Sequence, residues 1–260
     1  MDEIVKVDNQ GYDAYEELLL RRDRLRKEAH IYQGLYIKEF GDLMTAVFER
    51  KIACIRLKKI IAYCQAAVNR GQTIDQNAMQ EYLRTEMQEY QRQLEEMIRE
   101  NENAHNMGRV TEEEASKIKR LYRKLAKLLH PDICPKTDQI PELKTLWHRI
   151  TAAYNANNLE ELEEAGILAQ RILEENDMNG IEIDIPNLSE RMEKVEKEIQ
   201  DIKSTDPYQY KYLLQDADVV GEKKQELESE LSEYREYEKE LQQAVSRLME
   251  SGAKFVWRMN

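Results

Sequence analysis

SKIKRLYRKLAKLLHPD, residues 116–132, is the stretch whose reading decides the fold. Six cationic side chains fall between Lys117 and Lys127 (Lys117, Lys119, Arg120, Arg123, Lys124 and Lys127), and no acidic residue interrupts them. The chain as a whole carries a formal net charge of -12, so this face is a local exception. Ile118, Leu121, Leu125, Leu128 and Leu129 recur at helical spacing and predict a buried stripe. Upstream, Thr111 followed by Glu114 has the form of a capping box, and Glu112, Glu113 and Glu114 suit the positive end of a helix dipole. Downstream, Pro131 disfavours helical geometry in the residue before it and cannot continue the ladder, so the helix is expected to stop at His130.

A second helical segment is predicted over Pro141 to Asn155, closing with Ile150, Ala153 and Tyr154. Together, residues 111–155 resemble helix II, the His-Pro-Asp loop and helix III of a J-domain, the module of DnaJ-type co-chaperones. The resemblance implies a docking surface for a DnaK-type ATPase chaperone. On this sequence the matching helix positions are Lys119, Arg123 and Lys124, with Tyr122 beside them and Lys127 extending the face. Charge complementarity of that kind sets register and on-rate and weakens with salt. Asp132, in a turn fixed by Pro131 and positioned by His130, would accept an arginine of the ATPase, a charge-assisted bond with strong directionality. Hydrolysis would occur in the partner: the resemblance implies no enzyme activity in this chain and no cofactor. Trp147 and Leu146 are expected in the core, where the family places phenylalanine. Two departures follow. The family's helix I signature, Tyr-x-x-Leu-Gly, is absent before helix II, so the helix ending near Asn103 is expected to take over its packing. The glycine/phenylalanine-rich region and the zinc repeats are also missing, which resembles a J-protein of the minimal type.

Charged residues make up 35% of the 260 and aromatics 7%, with 9 glycines and 5 prolines, a composition suited to long helices. The acidic balance argues against nucleic acid as partner, because phosphate binding needs a basic footprint. No run approaches the length of a membrane span, and the opening MDEIVKVDNQ is acidic and polar, so a secretory signal is not expected. Three cysteines (Cys54, Cys64 and Cys134) show no paired spacing, which fits a reducing, cytoplasmic setting. A zinc site built from His130, Cys134 and His148 lacks a close ligand pair and a fourth ligand, and no metal is expected. His30 and His105 stand alone.

In chain order, helices are predicted over 12–38, with Tyr15, Leu18, Leu25, Ala29, Tyr32 and Tyr36 in 3-4 alternation and Arg22 in the one polar slot, and over 42–69. Gly34 and Gly41 are expected to weaken the junction. Thr73 and Gln76 suggest a capping box for a third helix to about Asn103, and a further helix is expected from about residue 159 to 176. IEIDIP, residues 181–186, reads as an extended linker. Leu188, Met192, Val195, Ile199 and Ile202, then Leu227, Leu231, Tyr234, Leu241, Val245 and Leu248, form two heptad runs around a break at Ser204 to Pro207. They predict an antiparallel hairpin or a dimerising arm. Phe255-Val256-Trp257 is an apolar tail that folds back or anchors a partner.

The expected protein is therefore all-α: an N-terminal helical bundle (1–106), a J-domain-like hairpin with the helix after it (107–178), and a linker with a C-terminal coiled coil (179–260). Its expected function is recruitment and stimulation of a DnaK-type chaperone. The flanking helices would select a client or location, and the coiled coil offers a route to a homodimer. The alternative is a coiled-coil adaptor in which the J-like hairpin is scaffold only. A nucleic-acid binder using the basic helix is a distant third.

Overall fold

The computed structural model describes residues 9–105, 110–175, 187–250 and 255–256. The fold is all-α, with one two-residue parallel bridge among the described residues. Contacts divide the chain into two units that interleave in sequence: Met1–Gln33 with Gly108–Lys211, and Gly34–Met107 with Tyr212–Asn260.

In the first unit, α3 (Glu112–Leu129), the short α4 (Lys136–Gln139), α5 (Pro141–Asn155) and α6 (Leu159–Glu175) surround one core. Ile118, Leu125 and Leu129 of α3 meet Leu143, Leu146, Trp147 and Ile150 of α5 and Leu162, Ala165 and Ala169 of α6. Helical spacing puts these residues on one side of each cylinder, and burying each large one contributes about 1.5–3 kcal/mol. The start and stop of α3 follow its sequence signals. Thr111 and Glu114 form a reciprocal capping box, and His130 is the C-cap, with extended geometry (φ -62°, ψ 125°). The stripe is rotated from the expected one. Tyr122 and Ala126 are buried, Leu121 is half-buried, and Leu128 remains 45% exposed.

The N-terminal part of α1 (Asn9–Asn69) and α7 (Leu188–Ser204) build a second core in this unit. Tyr15, Leu19, Leu25 and Ala29 pack with Val195, Ile199 and Tyr208, and Ile133 enters from the loop after α3. The first heptad run thus finds its partner in α1. In the first unit the element lying against α3 is also α1, which corrects the expectation that the helix ending near Asn103 would do so.

In the second unit the remainder of α1 packs with α2 (Gln76–His105) and α9 (Ala217–Glu250). Phe40 and Val47 bury against Leu227 and Leu231, and Leu213 and Leu214 of α8 (Tyr210–Gln215) join them. The two helices expected at 12–38 and 42–69 are one continuous helix. An interior glycine costs only about 1 kcal/mol, which the packing of Phe40 outweighs. Gly41 marks a close approach: a Cβ there would collide with the Asn101 side chain on α2. The start of α2 also differs from expectation. Asp75, rather than Thr73, accepts from the amides of Asn77 (3.0 Å) and Ala78 (3.1 Å). Ile74–Asp75 (β1) pairs in parallel with Phe255–Val256 (β2), which holds those residues out of the helix. The expected linker at 181–186 lies outside the described residues. Among the described residues no helix is long and apolar enough to cross a membrane.

Candidate docking site

The turn at 130–132 is held from within. His130 is 4% exposed, and its carbonyl accepts from Ile133 N (2.8 Å) and Cys134 N (2.7 Å). Its Nδ1 accepts from Asp132 N at 3.1 Å. Its Nε2 faces Asp23 Oδ2 at 3.5 Å. Arg22 Nη2 lies 3.0 Å from the same Nε2 and donates to Asp23 Oδ1 at 3.1 Å. The edge of the His130 ring meets Trp147, centroid to centroid 5.0 Å, fixing the ring plane. Pro131 is half-buried, and the Asp132 side chain is 40% exposed.

α1 brings a charged row to this turn and to α3. Arg22, 6% exposed, donates through Nη1 to Asp132 Oδ2 (3.2 Å) and to Glu198 Oε2 of α7 (3.3 Å). Burial alone would ease its proton off, but Asp23 and Asp132 hold its affinity above the ordinary value. Burial would likewise raise the Asp23 carboxyl. The hydrogen bond with His130, the Arg22 charge and the Tyr122 hydroxyl outweigh it and keep Asp23 below the usual range. Tyr122 donates to Asp23 Oδ2 at 2.8 Å and stacks on Tyr154 at 3.8 Å. Lys27 lies over the Tyr154 ring at 3.9 Å, and burial lowers its ammonium to about 8. Burial also pushes the Tyr154 phenol up to about 12.

The cations of α3 fall into two groups. Lys127 Nζ stands 2.9 Å from Glu16 Oε2 and Arg123 Nε 3.8 Å from Glu16 Oε1, while Arg123 also pairs with Glu17. The Glu16 side chain is 2% exposed, and its oxygens make no hydrogen bond of good geometry, so charge alone compensates its burial. Lys119, Arg120 and Lys124 are exposed and form no ion pair among the described residues. Lys117 pairs with Glu113 of its own helix (2.7 Å).

The structure therefore brings His130, Asp132, Tyr122, Arg123 and Lys127 together through α1 and leaves Lys119 and Lys124 at the surface. Tyr122 is 3% exposed, so its ring lies in the core. Sequence reasoning missed Glu16, Glu17, Asp23, Lys27 and Glu198. Arg22 carried the one available signal, a cation inside an apolar stripe. Cys134 is buried while His148 is exposed, and among the described residues no group of three or more His, Cys, Asp or Glu is placed to hold a metal. Chemically, the site pairs carboxylates with helix cations and a guanidinium with the loop carboxylate. No family model matches the chain, and no curated protein or solved structure matches it.

Proposed function

We propose that this chain is a J-domain co-chaperone of the minimal type, acting in the cytoplasm. The basic face of α3 and the His-Pro-Asp turn dock on a DnaK-type ATPase chaperone and stimulate its hydrolysis, and this chain carries out no bond chemistry. The observation that carries the reading is the pairing already present at the site. Asp132 holds a guanidinium at 3.2 Å and Lys127 a carboxylate at 2.9 Å. Those are the two charge types that the J-domain resemblance asks of the chaperone. The flanking helices would select a client or a location.

One observation favours the second reading, a helical adaptor in which the hairpin is scaffold. Both of those partners come from α1 of the same chain, and His130 and Arg22 are buried. Single-turnover ATP hydrolysis by the chaperone separates the two. Asparagine at 132 keeps the shape and one oxygen that can accept from Arg22, so Asp132→Asn should leave helicity intact. Acceleration by the wild-type chain, lost in Asp132→Asn, supports the co-chaperone. Absence of acceleration by both wild type and variant leaves the adaptor.

A further inference from the structure

We propose that residues 12–29 of α1 are a tethered occupant of the docking face, which the chaperone displaces; this rests on the co-chaperone reading. α1 has two unlike sides. Toward α7 it presents Tyr15, Leu19, Leu25 and Ala29, an apolar seam closed by Val195, Ile199 and Tyr208. Toward α3, α5 and the turn it presents Glu16, Glu17, Arg22, Asp23 and Lys27, with Leu20 the apolar side chain packed on that core. Ile133, reaching into the α1–α7 seam, is the apolar tie from the turn. Interfaces built to exchange are more polar than permanent ones. The α1–α7 pair carries its own core, so leaving α3 does not cost α1 its apolar partner.

The occupant also reproduces a charge pattern. Two carboxylates meet Arg123 and Lys127, and five residues beyond Glu17 a guanidinium meets Asp132. A partner that replaces α1 must offer carboxylates to the helix and an arginine to the turn. It also finds an entry point. Lys119, Arg120 and Lys124 are exposed and unpaired among the described residues, and Lys119 lines a groove of about 360 Å³ with Arg21, Arg24, Tyr122 and Tyr154. Glu17 and Arg123 line the same groove, so contact there meets that pair first, and exchange can then proceed along the helix toward Asp132. The apparent affinity of a closed face is reduced by the fraction of time it is open, so weakening the occupant should increase stimulation.

The test uses the full chain with Glu16→Gln and Glu17→Gln together, which remove two carboxylates from the occupant and none of the docking residues. Spin labels at Asp13→Cys on α1 and Thr145→Cys on α5, both exposed, report separation, and the three native cysteines are buried. We expect the double variant to stimulate the chaperone's hydrolysis roughly fivefold more than wild type at sub-saturating chain, the effect of losing about 1 kcal/mol of ion pairing. Chaperone with ATP should add a longer label-to-label distance. A distance unchanged by chaperone, with hydrolysis stimulated by wild type and lost in Asp132→Asn, would overturn the occupant while the co-chaperone reading stands. A distance that lengthens in the double variant without any stimulation of hydrolysis would retain the displaceable α1 and sink the docking reading.

Discussion

Three carboxylates converge on the Arg22 guanidinium, at 3.1 Å for Asp23, 3.2 Å for Asp132 and 3.3 Å for Glu198. Arginine suits such a place because its planar fork serves several acceptors and it does not lose its proton. Glu16 is the opposite case, a buried carboxylate that depends on two half-exposed cations. Removing one partner of a buried charge costs more than the pair contributes, because the desolvated charge remains. Lys127→Ala should therefore lower stability by about 1–3 kcal/mol, read as a reduced urea midpoint, with Arg123 moderating the loss. Lys124→Ala, at an exposed and unpaired position one turn away, is the control and should leave the midpoint unchanged. Asp23 sets a pH dependence. Its folded-state pKa lies below the ordinary 3.8, so its contribution is complete above that pH and is lost as pH falls through the lower folded value. Asp23→Asn should flatten the urea midpoint against pH in the acid range and leave the slope near neutrality unchanged. At this scale the sequence was legible where spacing is local: Thr111 with Glu114, and His130 with Pro131. Glu16 and Asp23 were not legible as site residues, because their partners on α3 and in the turn lie about a hundred positions away and no local pattern marks a carboxylate for burial.

Among the elements, α3 and α5 have the bounds that caps and proline predicted, Glu112–Leu129 and Pro141–Asn155. Their signals are short-range and agree with one another. The capping box gives a direct prediction. Thr111→Ala removes the acceptor for Glu114 N and the hydroxyl donor to its carboxylate, and should cost about 1 kcal/mol. Hydrogen exchange at the first turn of α3 should accelerate while the turn at His130 keeps its protection. α1 shows where element reading fails. Gly34 and Gly41 are sound helix-weakening signals, yet the backbone continues through both. The reasons are tertiary: the burial of Phe40, and the room that Gly41 leaves for Asn101. The start of α2 was misplaced in the same way, by a bridge to residues 255–256 that sequence spacing could not announce.

At the scale of the molecule, the heptad runs were legible as seams but not as to whose seams they are. A 4-3 repeat states that a helix has an apolar edge, and a partner in the same chain satisfies it as well as a second copy does. Here α1 supplies the partner in both units. Val195 and Ile199 are 3% and 2% exposed in the first unit, and Leu227 and Leu231 are 6% and 7% exposed in the second. A homodimer built on these seams would first have to strip them from α1, losing about 1.5–3 kcal/mol for each large side chain before any new contact forms. What remains outside is charged: residues 187–250 carry 17 acidic and 10 basic side chains, so two copies presented side by side repel. The large apolar side chains exposed on α9, Val219 at 38% and Met249 at 51%, lie thirty residues apart and do not make a patch. Light scattering across a wide concentration range should therefore give the monomer mass of 30.8 kDa. Raising the salt should leave that mass unchanged, because screening removes the repulsion without freeing the seams. A mass near twice that value would mean that α7 or α9 exchanges α1 for its counterpart in another copy. In that case Leu231→Ala, which weakens the in-chain seam at one knob, should shift the equilibrium between the two species.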